Sequence, residues 1–142
     1  MIRASCCALF YVLLTGCVPI YHLPKDATYA RVRLADVASA NMWVCQRNQI
    51  YRLLPDKSGY AKIAADRRVT LGVSYYNYVY QGVSTYCNAG SSLIPDPSAS
   101  YYLDFEMEDE RCMALPYKEG AKNRIGLDFE PTLQPSSACL TR

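Results

Sequence analysis

The 142-residue chain is short of several things at once. It holds one histidine, His22, so imidazole catalysis and His-containing metal sites have a single candidate group. Its charge is nearly balanced, with 15 Lys+Arg against 13 Asp+Glu, which leaves neither the basic footprint of a nucleic-acid binder nor an acidic tail. No apolar run approaches the roughly 20 residues that span a bilayer. The motifs G-x-S-x-G, H-E-x-x-H and C-x-x-C are missing, and Asn88-Ala89-Gly90-Ser91-Ser92 has turn composition without the Lys that a phosphate loop places next. What the chain does have is seven cysteines, 13 tyrosines and 51% hydrophobic residues, enough for one domain with a real core.

Residues 1–16 read as a targeting segment. Arg3 supplies a positive start, and Ala4 to Leu14 form an apolar stretch too short to cross a membrane. Leu14-Thr15-Gly16-Cys17 then resembles the lipobox of bacterial lipoproteins. The resemblance implies that the Cys17 thiol is diacylated, that residues 1–16 are removed and that the new amine is acylated too, with fatty chains such as palmitate. Several chains make a lasting anchor. Val18 stands where the inner-membrane retention signal has Asp, which implies sorting to the outer membrane, facing the periplasm. Residues 17–26, with Pro19 and Pro24, read as the lipidated cysteine and a tether, and His22 falls in that tether. Residues 27–142 are the expected folded domain.

Removal of Cys6 and Cys7 and acylation of Cys17 leave Cys45, Cys87, Cys112 and Cys139. An even number in an oxidising compartment reads as two disulfides. Without a C-x-x-C pair or a nearby His, no metal or other cofactor is expected. Cys87–Cys112 would tie neighbouring strands, and Cys45–Cys139 would pin a C-terminal segment poor in apolar residues. Cys45–Cys87 with Cys112–Cys139 remains the competing connectivity.

From Ala27 onward the hydrophobic period is two, the spacing of half-buried strands. Ala30, Val32 and Leu34 share one face, and Tyr29, Arg31 and Arg33 the other. Further strands are expected at 41–45, 50–54, 60–65, 69–73, through the tyrosines from Tyr75, at 101–107, 111–117 and 125–129. Turns are expected at 46–49 and 55–59, with a long loop over 88–100. About eight short strands with evenly spaced turns and no long helix argue for an all-β antiparallel sandwich, immunoglobulin-like or transthyretin-like in outline, with a small barrel as the alternative. Trp43, beside Cys45, is expected to pack on a disulfide in the core.

The run Cys87…Ile94-Pro95-Asp96-Pro97…Tyr101-Tyr102-Leu103-Asp104-Phe105…Cys112 is similar to a pattern in small proteobacterial lipoproteins. Those proteins often place a Gly before the strand tyrosine, where this chain has Ser98-Ala99-Ser100. The resemblance covers about a fifth of the chain. It implies a secreted β-sandwich and the Cys87–Cys112 pairing, and no activity.

Two clusters could carry function. Asp104, Glu106, Glu108, Asp109 and Glu110 place carboxylates in a row, with next-but-one residues roughly 7 Å apart on a strand. Calcium would need further ligands from a loop, and a glycosidase needs its pair across a cleft. A solvated face, or one paired with Arg31 and Arg33 or Arg67 and Arg68, is the expectation. Tyr76, Tyr78 and Tyr80 share one strand face, at least partly exposed because three hydroxyls in a row would be costly to bury. They are the candidate interaction surface. The chain therefore reads as a non-enzymatic protein-binding lipoprotein, such as an immunity protein or an envelope secretion-system component. A peptidoglycan or glycan binder is the alternative.

Overall fold

The computed structural model describes residues 17–36, 38–79, 82–108, 111–120, 122–136 and 139. The expected targeting segment, Tyr80, Asp109 and Glu110 lie outside the described residues. The strands are β1 (Tyr29–Leu34), β2 (Ala40–Gln46), β3 (Gln49–Arg52), β4 (Ala61–Ala64), β5 (Val69–Val79), β6 (Val83–Leu93), β7 (Ser100–Glu108), β8 (Arg111–Glu119), β9 (Leu127–Phe129) and β10 (Gln134–Ser136). They form two five-stranded sheets, ordered β4-β1-β7-β8-β9 and β10-β6-β5-β2-β3. These pack face to face as a β-sandwich, which the alternation of apolar residues requires of any sheet with one wet face.

The inner faces follow from that alternation. Val32, Ile63, Tyr101, Leu103 and Ala114 from the first sheet meet Met42, Val44, Leu71, Val73 and Leu93 from the second. At one end the core closes on Tyr75 against Phe105, ring centroids 5.5 Å apart. Pairing is antiparallel throughout the described strands except for β1 and β7, which run parallel with Val32 opposite Tyr101.

The turns follow from local chemistry. Arg47 and Asn48 both take positive φ, 52° and 63°, the two-residue hairpin geometry whose twist matches the flanking strands. At 55–59, Asp56 accepts hydrogen bonds from Ser58 N at 2.7 Å and Ser58 Oγ at 2.5 Å, and Gly59 supplies φ of +82°.

Three expectations need correction. The loop expected over 88–100 is mostly strand: β6 runs to Leu93 and the connection is 94–99. The small residues of β6 answer packing constraints rather than turns. Gly90 lies under the ring of Trp43, and Ser91 faces inward to donate a 2.5 Å hydrogen bond to the Ala114 carbonyl of the opposite sheet. Trp43 is buried, at 2% exposure, but not in the sandwich core. Met42 and Val44 take the core side of β2, so Trp43 lies on the outer side, over Gly72 and Gly90. The third concerns the stretch expected as a tether. Arg52 N donates to Pro19 O at 2.8 Å, Tyr21 N donates to Arg52 O at 2.9 Å, and Tyr21 and Leu23 pack against the core. From Pro19 onward the chain is docked along the edge of β3.

Both disulfides are in place, Cys45–Cys139 and Cys87–Cys112. The competing connectivity is not formed. Cys45 and Trp43 point the same way from β2, so the first bond ties the C-terminal segment to the outer face of the second sheet. The second bond joins the two sheets near the Tyr75–Phe105 pair, since Cys87 stands opposite Tyr75 and Cys112 one pair beyond Phe105–Ala114 on that face.

Candidate functional site

The two outer faces of the sandwich differ in chemistry. On the first sheet, Asp104, Glu106 and Glu108 point outward along β7, as the alternation predicts, with Leu115, Met113 and Arg111 opposite them on β8. Glu106 and Glu108 are exposed and Asp104 is half-buried. Burial and the nearby Glu106 and Asp104 charges push the Tyr117 phenol above its ordinary pKa. Among the described residues no three His, Cys, Asp or Glu side chains stand close enough to hold a metal ion.

Arg31 and Arg33 serve tyrosines and a different acid. Arg31 lies 5.0 Å over the Tyr60 ring, and Arg33 lies 4.8 Å over Tyr102. Arg33 Nε donates to Glu119 Oε1 at 2.6 Å, and Tyr60 donates to Glu119 Oε2 at 2.7 Å. That hydrogen bond to Glu119 raises the Arg33 pKa further. Arg68 reaches Ser92 Oγ at 3.0 Å and the Thr132 carbonyl at 3.1 Å. The grouping is structural: aromatic rings and one carboxylate hold the arginines across β1, β7 and β8.

On the second sheet, Tyr76 and Tyr78 point outward from β5, and Tyr86 joins them from β6, directly opposite Tyr76. Their exposures are 53%, 68% and 67%. Tyr86 belongs to the same aromatic-rich stretch of sequence, but only strand pairing brings it beside Tyr76. The rest of that face reads Asn41, Trp43, Ile50, Arg52, Thr70, Ser74, Ser84, Asn88, Gln134 and Ser136 by register. None of these outward positions carries a carboxylate.

Cys17 borders this same face. With Val18 it lines a groove of about 490 Å³ together with Asn41, Trp43, Arg52 and Ser74. Trp43 Nε1 is buried there without a hydrogen-bond partner among the described residues. His22, on the other side of the docked segment, lines a separate groove of about 320 Å³ with Asp56, Tyr60 and Lys62.

No family model and no curated protein matches the chain.

A third feature is the end of the sandwich beyond Tyr75 and Phe105. The β5–β6 and β7–β8 hairpins run on past the core with the Cys87–Cys112 bond between them. A groove of about 240 Å³ there is lined by Thr85, Tyr86, Met107, Glu108, Arg111 and the Cys87–Cys112 bond. A wider cleft of about 810 Å³ shares Glu108, Arg111 and Cys112 and adds Met113. Met107 and Met113 are 47% and 46% exposed.

Proposed function

We propose that the chain is a lipid-anchored lipoprotein of the outer membrane, facing the periplasm, that acts without catalysis by binding another protein. The observation that carries the binding role is the open end of the sandwich. Two hairpins stapled by Cys87–Cys112 leave a groove of about 240 Å³ beside exposed Met107, and a wider cleft of about 810 Å³ on the β7–β8 hairpin is lined by exposed Met113. Exposed apolar side chains around a cleft mark interaction sites, and methionine adapts its shape to a partner surface. Glu108 and Arg111, paired across β7 and β8, add one charge of each sign to the rim.

The test is crosslinking in intact cells, followed by affinity purification and mass spectrometry. A stoichiometric periplasmic protein recovered with the wild-type chain, and lost with Met107→Asp/Met113→Asp while both disulfides persist, is the expected result. Recovery of cell-wall fragments alone would replace this reading with the glycan-binding one.

A further inference from the structure

Cys17 has almost no slack. Pro19 already accepts a hydrogen bond from the backbone of β3, and a single residue, Val18, separates it from the cysteine. Two Cα–Cα steps span at most roughly 7 Å, so any group on the Cys17 sulfur must emerge within about that distance of the sheet edge. The groove that Cys17 lines opens on the outward face of the β10-β6-β5-β2-β3 sheet, where Ser74 is also part of its wall. Tyr76 is the next outward residue after Ser74 on β5, roughly 7 Å further along, and Tyr78 follows it.

We propose that this face lies on the membrane, with Tyr76, Tyr78 and Tyr86 seated among the lipid headgroups and the acidic β7 face turned away. The proposal rests on the reading of Cys17 as acylated. Acyl chains entering a bilayer from Cys17 draw the sheet edge to the surface, because a docked Pro19 cannot act as a tether. The face they draw down suits that position. Tyrosine, with an apolar ring and a polar tip, favours the interface between hydrocarbon and water. The described outward positions of this sheet carry Arg52 and no carboxylate, whereas the opposite sheet presents Asp104, Glu106 and Glu108 together with Arg31, Arg33, Lys62 and Arg111. Anionic lipid meets no like charge on the first surface, whereas on the second it would meet three carboxylates along β7.

The same geometry leaves a second surface at the end of the sandwich. The tyrosine face meets lipid, Tyr86 at its border also lines the groove beside Met107, and the wider cleft by Glu108, Arg111 and Met113 stays open to a protein.

The experiment uses the mature protein purified from membranes, with acylation of Cys17 checked by intact mass. It is reconstituted in vesicles of phosphatidylethanolamine and phosphatidylglycerol, and a Cys17→Ser chain in solution serves as reference. Tyrosines are nitrated with tetranitromethane and mapped by peptide mass. Protection of Tyr76, Tyr78 and Tyr86 at least about threefold on vesicles, with Tyr29 on the opposite sheet unchanged, is the expected result. Acylated protein whose Tyr78 is nitrated as fast as Tyr29 in both states overturns the membrane seat while leaving the anchor standing. A chain without acyl groups removes the anchor itself, and the seat with it. Protection seen in cells but not on vesicles overturns the seat in favour of a protein on the same tyrosines.

Discussion

Trp43 lies directly on the backbone of Gly72: a Cβ built at that glycine would stand 2.1 Å from Trp43 Cζ2 and 2.4 Å from the Ala89 carbonyl oxygen. The indole cannot lift without exposing its ring, and the carbonyl belongs to the ladder between β5 and β6. Gly72→Ala is expected to lower stability by roughly 3 kcal/mol, at the upper end of the range for overpacking. At Gly90 the closest atom is Trp43 Cη2 at 2.8 Å, a side-chain contact with more room to shift, so Gly90→Ala should cost less. Urea midpoints of the two variants check the order.

Tyr101 is fully buried, and its hydroxyl donates to Glu130 Oε2 and accepts from Asp96 N, both at 3.0 Å. Burial pushes the phenol far above its ordinary pKa. The folded chain therefore keeps this proton where the unfolded chain begins to lose it, near about pH 10. Stability from this group is complete below that pH and declines as pH rises beyond it. Tyr101→Phe should cost about 1–3 kcal/mol at neutral pH, by leaving Glu130 and Asp96 N short of a partner, and should flatten the alkaline fall. The raised Tyr60 and Tyr117 phenols keep a smaller remainder. Denaturation midpoints from about pH 8 to about pH 11 read both effects.

Sequence separations of 94 and 25 make the two disulfides unequal on the chain-entropy model. Closing the longer loop contributes about 4.7 kcal/mol and the shorter about 3.5 kcal/mol. Cys45→Ala/Cys139→Ala is expected to lower the thermal midpoint more than Cys87→Ala/Cys112→Ala. The second pair has a local effect of its own. Losing it should speed amide exchange in the ends of β5 to β8 around the Met107 cleft, leaving β1 and β4 protected.

Glu119 joins Arg33 and Tyr60 at the end of β8, with its own side chain mostly buried and that of Arg33 43% exposed. Partial exposure limits such a pair. Arg33→Met should cost about 1 kcal/mol, and less at high salt, because solvent and ions already screen the guanidinium. Glu119→Gln keeps an acceptor for Tyr60 and should shift the balance toward Tyr60 alone. A double-mutant cycle at two salt concentrations measures the coupling.

Sequence reasoning reached the β-sandwich because it is carried by a local signal. Ala30-Arg31-Val32-Arg33-Leu34 alternates, Asp56 and Gly59 mark their own turn, and Tyr76 and Tyr78 must share a face whichever strand lies next to them. These depend on period two and on turn chemistry, which neighbouring residues determine together. The even count of cysteines after Cys17 belongs to the same class.

Choice of partner is a different matter. That β1 runs parallel to β7, with 68 positions between Val32 and its partner Tyr101 reduced to one ladder rung, depends on which faces bury the most apolar surface together, and no window of sequence holds that sum. The segment 88–93 carries the composition of a loop, yet it is strand because Trp43, on another strand, needs glycine beneath its ring. Pro19 docks on β3 although Val18 to Asp26 shows no period, since two backbone hydrogen bonds to Arg52 require only an open edge. The amino-acid sequence alone thus determined most of the strands, the cysteine parity and the lipobox resemblance at Cys17. Tertiary structure decided that Cys17, Trp43 and the tyrosines border one face, because long-range pairing, not local pattern, sets which strands stand side by side.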